Sequence, residues 1–293
     1  MLFQKVAAQG HYAGRTFPSN TQQGTYMAAP DGTFLASVNT RDPKVMAEKL
    51  REALSKWREL EATKRSAIPV FEGAAPRARF EQYYPSEGLV LHMTVRDLPR
   101  TDLPKDWRAS AWNQDFAWFT KEEARQMLPE KIEEGQAHEA PSVIATRLAR
   151  FHLVDTVRGQ SLHYPANAVR EASLRVEVVK VESGIATIAL QGKTQTVHGG
   201  RWAVDGYRDL NQPSDQVRGV ETQLLGRAKY DMIKERFLDF ELVALGTRYG
   251  ATAYNGRGDD KAPAAIGFLF RLAGDSPQER VAPAAFWDYG WRR

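Results

Sequence analysis

Apolar and polar residues alternate along much of the second half of this chain. From Ser173 to Val178, for example, every second residue is apolar, which is the period of a strand that buries one face. Further runs predicted as strands follow at residues 185–190, 220–228, 237–245 and 265–272. Short polar turns separate these runs, and no βαβ rhythm connects them. The pattern therefore predicts an antiparallel sheet, sandwich or partly closed barrel, and it argues against a doubly wound parallel sheet.

The composition is that of a globular chain with room for one large domain or two modest ones. Hydrophobic residues make up 42% of the 293 positions and charged residues 26%, which argues against disorder. The 40 Lys and Arg residues and the 36 Asp and Glu residues are mixed along the chain, with no basic stripe to follow a phosphate backbone. We therefore predict no nucleic-acid partner.

No stretch approaches the ~18 consecutive apolar residues of a membrane span, so none is predicted. Residues 1–10 hold a single Lys and no continuous apolar region, so no secretory signal is predicted in this sequence. The chain also has no cysteine, which excludes disulfides, thiolate-ligated metals, iron–sulfur clusters and cysteine nucleophiles. The compartment stays open, because an oxidising location permits disulfides without requiring them.

The first clear structural unit is a hairpin followed by a helix. Residues 25–29 and 33–38 are predicted as two strands, joined by a turn at residues 30–32 (Pro-Asp-Gly), where each residue type favours a turn. Asp42 is predicted as the N-cap of a helix whose first residue is Pro43. The apolar residues of this helix recur at helical spacing and form one stripe: Met46, Leu50, Ala53, Leu54, Trp57 and Leu60. We expect this stripe to bury against the hairpin.

Strand, turn, strand and amphipathic helix is the order of elements in the last third of a thioredoxin-like domain. The segment 24–32 (Gly-Thr-Tyr-Met-Ala-Ala-Pro-Asp-Gly) resembles that family's stretch from its cis-proline to the glycine of the β-turn, with Gly24 in the place of the proline. The resemblance covers about residues 18–60. It implies the C-terminal half of a thioredoxin-like fold, while an unrelated hairpin and helix is the alternative.

The resemblance also implies what this segment lacks. Only 23 residues precede Gly24, too few for the first half of the fold, and the family's Cys-x-x-Cys pair is absent. We therefore expect a thioredoxin-like remnant without redox activity. A hairpin that lacks half of its parent sheet is expected to pack on the rest of the chain or on a second subunit, giving a homo-oligomer through the N-terminal hairpin. The remainder of the chain is assigned to no family.

The sequence predicts two domains and a linker: residues 1–62 as the thioredoxin-like remnant, 63–79 as a linker broken by Pro and Gly, and 80–293 as an α+β domain. The larger domain is predicted to hold a mainly antiparallel sheet and two or so helices. A capping box at Thr120–Glu123 starts one helix, and a second is predicted from Ser142 to Arg158. The predicted fold class is α+β, with a truncated thioredoxin-like hairpin and helix before a larger antiparallel β domain.

A cluster of His, Asp and Arg near the end of the second predicted helix is the first candidate catalytic site. His152 and Asp155 are three residues apart, so a helix places both on one face, where the carboxylate can orient the imidazole. Arg158 is one turn further along, and His163 lies just past the helix. The functional interpretation is a general base, with or without a divalent metal ion. The alternative is a surface His–Asp contact with a capping Arg.

Aromatic residues and one histidine form a second candidate site, for ligand binding. His92 lies in the middle of a predicted strand, residues 88–95, as a core residue or a pocket residue. The densest aromatic group in the chain follows, with Trp107, Trp112 and Trp118. These rings are predicted to line a groove for a sugar or an acyl group, or to fasten a long loop onto the sheet.

Asp259 and Asp260 form a third candidate site, in a predicted loop with Gly256 and Gly258. Oxygen ligands on a glycine-rich loop can hold calcium, so a weak divalent-cation site is one interpretation. The spacing matches no known calcium loop, so a solvated turn is the alternative. Beyond a divalent metal ion, the sequence points to no cofactor.

Two functions remain open after these observations. The first is a hydrolase of a small ester, lactone or related bond that uses the His/Asp site. The second is a non-catalytic ligand-binding or protein-interaction module that uses the aromatic segment or the interior of the sheet. No P-loop, Gly-x-Ser-x-Gly elbow or His-Glu-x-x-His motif decides between them. Convergence of His92, His152 and His163 on one pocket would favour the hydrolase.

Overall fold

The computed structural model describes six stretches of the chain: residues 6–7, 24–40, 42–66, 80–103, 105–204 and 212–291. The chain divides into two compact units, residues 1–77 and 78–293, and each unit is described by itself. Among the described residues, no helix is both long enough and apolar enough to cross a membrane.

The first unit is a two-stranded hairpin followed by a helix. Strands β1 (Thr25–Ala28) and β2 (Phe34–Val38) pair antiparallel, as the sequence predicts. The turn between them follows the predicted chemistry, because the Asp31 carboxylate accepts a hydrogen bond from the Thr33 N–H at 2.9 Å. Gly32 adopts a φ of +89°, a value that favours glycine.

Helix α1 (Pro43–Glu59) begins where predicted, with the Asp42 carboxylate capping its first turn. Its apolar stripe is less buried than predicted. Ala53 is buried, but Leu50 and Leu54 are each 49% exposed, because a two-stranded hairpin is too narrow to cover a helix of 17 residues. The apolar groove that stays open along the helix is lined by Met27, Leu35, Leu50, Ala53, Leu54 and Trp57.

Two sequence predictions concern the borders of this unit. Gly24 has a φ of +138°, which a proline ring cannot adopt, so the backbone here differs from that of the proline in the family it resembles. The thioredoxin-like kinship and the homo-oligomer through the hairpin stay predictions. The first residues of the predicted linker are helical, in α2 (Ala62–Ser66), and residues 67–79 lie outside the described part of the chain.

The second unit is built on one eight-stranded antiparallel sheet. Its strands are β3 (Leu89–Asp97), β4 (Trp112–Phe119), β5 (Ala137–Glu139), β6 (Val169–Glu182), β7 (Ile185–Trp202), β8 (Ser214–Asp231), β9 (Arg236–Tyr249) and β10 (Ala264–Leu272). Their order across the sheet is β4-β3-β10-β9-β8-β7-β6-β5. A mixed fold, with a hairpin plus helix and a large antiparallel sheet accompanied by few helices, is therefore confirmed.

The capping box predicted for the first helix of this unit is present. Helix α3 (Lys121–Gln126) begins with the Thr120 hydroxyl accepting from the Glu123 N–H at 3.1 Å, while the Glu123 carboxylate accepts from the Thr120 N–H at 3.0 Å. The aromatic segment before it is largely strand β4, which pairs with β3. The interpretation of this segment as a long loop is therefore wrong.

The second predicted helix is much shorter than expected. Helix α4 (Ser142–Arg147) continues as one π-helical turn, Leu148–His152, and ends there. The prediction of helix over residues 153–158 is wrong. Asp155 and Arg158 instead form ion pairs with residues far along the chain, and these interactions outweigh the weak helical preference of so short a segment.

The sheet curves round α4 and the π-helical turn. Strands β4 and β6 are six strand spacings apart in the sheet, a separation of about 29 Å if the sheet were flat. The π-helical turn nevertheless packs against β4, β6 and β7, and α4 packs against β6. One turn of helix reaches both sides only when the sheet is rolled, so the second unit is a partly closed barrel with the helical segment in the gap.

The inner face of this barrel carries the main apolar core. Inward-facing residues of seven strands and the helical segment form one cluster, which includes Leu91, Val176, Ile188, Leu224 and Phe268. A second apolar cluster lies on the outer side of β3 and β4, where residues 282–291 cover the sheet. Trp118 and Phe286 are at its centre.

Candidate functional site

The inner face of the barrel becomes polar toward one end. This polar end is where β7 and β9 finish and where β8 and β10 begin. Buried polar side chains replace apolar ones there: Thr194, Thr196, Arg218, Thr222 and Arg248. Because buried polar groups cost free energy unless they are paired, the partners of these side chains decide what this end of the barrel does.

An ion-pair cluster closes the polar end; its members are Asp97, Asp155, Asp260, Arg158, Arg248 and Arg257. Arg257 is at the centre of the cluster. Its guanidinium donates to both carboxylate oxygens of Asp97 at 2.7 and 2.8 Å and to both oxygens of Asp155 at 2.8 and 2.9 Å. Bidentate, charge-assisted bonds of this kind are the strongest hydrogen bonds that side chains form.

Asp260 extends the cluster toward the surface. Its Oδ2 atom lies 2.7–3.1 Å from the guanidinium nitrogens of four arginines: Arg100, Arg158, Arg248 and Arg257. Burial by itself raises the pKa of Asp260, but hydrogen bonds from Arg100 and Arg248 and the surrounding positive charge outweigh it and hold the pKa well below its usual range. Burial by itself also raises the pKa of Asp97, but hydrogen bonds from Arg257 outweigh this effect. The pKa of Asp97 is therefore lowered as well.

These lowered pKa values predict that stability depends on acid pH. A carboxyl whose folded pKa lies below its unfolded value stabilises the fold above the unfolded pKa of about 4. The contribution is lost as the pH falls through the folded pKa, so we expect the free energy of unfolding to decline below about pH 4. Urea denaturation at a series of pH values measures this decline. Asp260→Asn lacks one of these carboxyls, so we expect its free energy of unfolding to decline less steeply with falling pH. An unchanged slope would contradict the stabilising role of the Asp260 carboxylate.

The two carboxylates of the predicted cation site, Asp259 and Asp260, both form ion pairs with arginines. Guanidinium groups occupy both carboxylates: Asp259 Oδ2 lies 2.6 Å from Arg108 Nη1, and Asp260 is shared among four arginines. Across the described ranges, no group of three His, Asp or Glu side chains is placed to hold a metal ion. Arginine supplies the positive charge that the calcium interpretation assigned to a metal.

His152 lies in a different network from the predicted one. Its Nδ1 is 3.4 Å from Asp115 Oδ2, and its Nε2 is hydrogen-bonded to the Tyr289 hydroxyl. Asp155 is bound to Arg257 instead, so the predicted His152–Asp155 pair does not form. Burial raises the pKa of the Tyr289 hydroxyl well above its usual value. The His152–Tyr289 hydrogen bond therefore ties the π-helical turn to the C-terminal segment, and Asp115 of β4 lies beside it.

The other two predicted catalytic residues also have partners outside the predicted set. His163 Nε2 is 3.2 Å from Asp288 Oδ2, in a partly exposed pair. Arg158 belongs to the ion-pair cluster, where its guanidinium lies 2.8 Å from carboxylate oxygens of both Asp97 and Asp260. The predicted catalytic residues thus have polar partners other than one another, while the Phe151 ring contacts both His163 and Tyr289.

The predicted ligand-binding residues differ in their burial and in their contacts. His92 is on the outer face of β3, where its ring stacks on Phe116 with 4.9 Å between ring centres. Trp118 is buried in the second apolar cluster, while Trp112 is 59% exposed near the start of the same strand. Trp107 is also exposed, in a 3₁₀ turn before β4. Trp118 thus anchors the C-terminal segment on β4, whereas Trp107 and Trp112 are open to solvent.

Arg218 and His198 form a pair that sequence analysis missed. They are register partners on the neighbouring strands β8 and β7, at the polar end. Arg218 is buried. Its guanidinium carbon lies 4.4 Å from the centre of the Tyr164 ring, and its Nη2 donates to the His163 carbonyl at 3.2 Å. The ring of His198 stacks on Trp202, with 5.5 Å between ring centres.

Arg218 is a buried cation without a carboxylate of its own among the described residues. The carboxylate whose charge acts on it is Asp155, which is already bound to Arg257. Burial lowers the pKa of Arg218. Burial also lowers the pKa of His198, and the charge of Arg218 lowers it further, so His198 is neutral at pH 7. The Nδ1 atom of His198 is buried and has no hydrogen-bond partner in the described part of the chain.

The alternation of β7 and β8 carried a signal for this pair. His198 follows Thr194 and Thr196 at every second position of β7, and Arg218 shares the parity of Thr222 on β8. Polar residues at the inward positions of alternating strands are uncommon, because the interior favours apolar side chains. Alternation gives no register between strands, however, so it does not place His198 opposite Arg218.

The chain was compared with protein families, with curated proteins and with solved structures. None of the three comparisons found a match.

Proposed function

We propose that the second unit is a non-catalytic ligand-binding module that holds a small anion, a carboxylate or a phosphate, at the Arg218–His198 pair. The observation that carries this proposal is the burial of Arg218 without a carboxylate partner among the described residues. A buried charge without a partner is costly, and an anionic ligand offsets that cost. The proposal develops the hypothesis of a binding module that uses the interior of the sheet.

The pairing of charges at the polar end supports an anionic ligand. Among the described residues, four buried arginines share this end with three aspartates: Arg158, Arg218, Arg248 and Arg257 with Asp97, Asp155 and Asp260. Three of these arginines, Arg158, Arg248 and Arg257, form ion pairs with the aspartates. Arg218 forms no such pair with them, so its charge is the one that an anionic ligand can meet.

The donors at this pair suit a carboxylate or a phosphate. A guanidinium presents a planar fork of N–H groups that matches two oxygens of such an anion. A neutral imidazole adds one N–H donor, and His198 stands opposite Arg218 on the next strand. Tyr164 and Trp202 pack against these two side chains, so a small anion fits this environment better than a large one.

The hydrolase hypothesis has less support. It uses His152 or His163 with Asp155, but each of the three has a different partner: Tyr289, Asp288 and Arg257, respectively. Anion binding at Arg218 needs no such convergence. It is therefore the function that the geometry favours.

Calorimetric titration of the full chain tests the proposal. Sodium phosphate and sodium acetate are titrated at constant ionic strength, and tryptophan fluorescence is a second readout because Trp202 stacks on His198. We expect the wild-type chain to bind at least one of the two anions. Arg218→Gln is expected to weaken that binding by at least about tenfold, because it removes a charge-assisted donor. Lys229→Gln removes an exposed cation from the same strand and is expected to bind as the wild type does.

Two results would overturn the proposal. Equal affinities of Arg218→Gln and the wild type place anion binding elsewhere. The second result concerns Asp205 and Asp209, which lie outside the described residues. If the wild type binds neither anion and Asp205→Asn or Asp209→Asn gains binding, the chain itself neutralises Arg218. A melting curve for each variant separates loss of binding from loss of fold.

A further inference from the structure

We propose that the outer face of the sheet in the second unit is a dimerisation surface for a second copy of this chain. The surface comprises an apolar stripe across β8, β9 and β10, with charged residues on both sides. It lies on the opposite side of the sheet from the Arg218–His198 pair. The inference is therefore independent of the proposed anion binding.

The register of three neighbouring strands forms the apolar stripe. Leu225 of β8 pairs with Val243 of β9, and Val243 pairs with Leu269 of β10, so the three side chains form one row. Leu245, two residues beyond Val243, widens the stripe. Leu225 is 70% exposed and Leu245 50%. Solvent-facing positions of an antiparallel sheet are ordinarily polar, so contiguous apolar ones indicate a contact surface.

Charged residues flank the stripe with opposite signs along β8. On one side, Arg227, Glu241 and Arg271 are register partners in one row, and Glu241 lies between the two arginines, at 3.7 Å and 3.6 Å. On the other side, Glu221 is exposed on β8. Along β8 the centre of the stripe falls between Gln223 and Leu225, so Glu221 and Arg227 are equally far from it.

This arrangement is complementary to itself under two-fold symmetry. In the proposed dimer, the outer faces of two copies meet, and a two-fold axis lies midway between them. The axis is perpendicular to the strands and parallel to the stripe, so it reverses the strand direction of the second copy. It places Arg227 opposite Glu221 of the partner subunit, and Glu221 opposite Arg227 of the partner subunit. The same operation stacks Val243 on Leu245 of the partner subunit. Such an isologous contact covers both stripes and pairs the flanking charges.

The size and charge of the surface set the expected strength of the dimer. Four aliphatic side chains form a smaller apolar area than permanent dimers use, so we expect a dissociation constant on the order of micromolar. The two Arg–Glu pairs across the interface fix its orientation more than they add affinity. Opposite charges placed symmetrically about one stripe fit an inverted copy of the same surface, and this complementarity identifies the partner as a second copy.

Sedimentation velocity of the full chain over a micromolar concentration series tests the inference. We expect a monomer–dimer equilibrium for the wild type and its loss in Leu225→Asp, which puts a charge into the stripe. Arg227→Glu and Glu221→Arg, made singly, are each expected to weaken dimerisation by at least about tenfold. Combined in one chain they are expected to restore it, because the pairs re-form with exchanged signs. Val179→Asp, at an exposed position of β6 outside the stripe, is the control.

Three outcomes would overturn this inference. The first is a wild-type chain that stays monomeric throughout the series. The second is a dimer that survives Leu225→Asp, because it then uses another surface, such as the predicted N-terminal hairpin. The third is a double charge reversal that fails to restore dimerisation. Melting curves of the variants confirm that each is folded, which we expect because every substituted side chain is exposed.

Discussion

Replacing Arg257 with methionine is expected to lower the free energy of unfolding of the second unit by about 3–5 kcal/mol. Arg257 donates four hydrogen bonds to the buried carboxylates of Asp97 and Asp155. Its loss leaves two buried negative charges without their main partner, and the cost of desolvating those charges is then uncompensated. Urea denaturation measures the change in the free energy of unfolding.

Three comparison variants separate charge burial from lost packing. Arg257→Lys keeps the charge without the forked geometry, so we expect an intermediate loss. Adding Asp97→Asn and Asp155→Asn to Arg257→Met removes the unpaired charges and is expected to recover part of the stability. Arg201→Met, at an exposed position, is expected to change stability by less than about 0.5 kcal/mol. A loss below about 1 kcal/mol in Arg257→Met would contradict the role of the cluster.

Replacing Trp118 with alanine is expected to cost about 3–5 kcal/mol. The centre of its buried ring is 5.5 Å from the ring centres of both Tyr84 and Phe286 and 6.5 Å from the ring centre of Trp291. Alanine leaves a cavity in the second apolar cluster and removes contacts that hold the C-terminal segment on β4. We therefore also expect faster cleavage of residues 282–291 by a protease.

Trp112 provides the matched control for this substitution. It lies on the same strand as Trp118 and is six residues away, but it is 59% exposed. Trp112→Ala is expected to change stability by less than about 0.5 kcal/mol, with no added protease sensitivity. Equal losses in the two variants, measured by urea denaturation, would contradict the burial argument.

Local chemistry explains the predictions that are confirmed. The turn at residues 30–32, the N-cap at Asp42 and the capping box at Thr120 each depend on residues within a few positions of one another. The predicted turn between β6 and β7 falls at Ser183 and Gly184, and both adopt positive φ. The alternating runs become β6 to β10 because a period of two commits each strand to one buried face.

The sequence did not reveal the partners of candidate site residues when those partners lie far away along the chain. His152 is hydrogen-bonded to a residue 137 positions away, the hydroxyl of Tyr289. Asp155 binds Arg257, 102 positions away, and that contact also ends the helix predicted to continue past His152. Neither spacing nor residue type reveals such a partner. The candidate catalytic set was therefore built on a helical face that the tertiary structure does not form.

The sequence by itself determined most of the strands, though not β4 or β5, together with the caps and turns named above and the side chains of a strand that share a face, because these properties depend on nearest neighbours. Only the tertiary structure decided which residue each charged side chain binds. Rolling the sheet brings Asp97, Asp155 and Arg257 to one end of the barrel and sets Arg218 opposite His198. The strength of an ion pair depends on burial and distance, and both are properties of the whole fold.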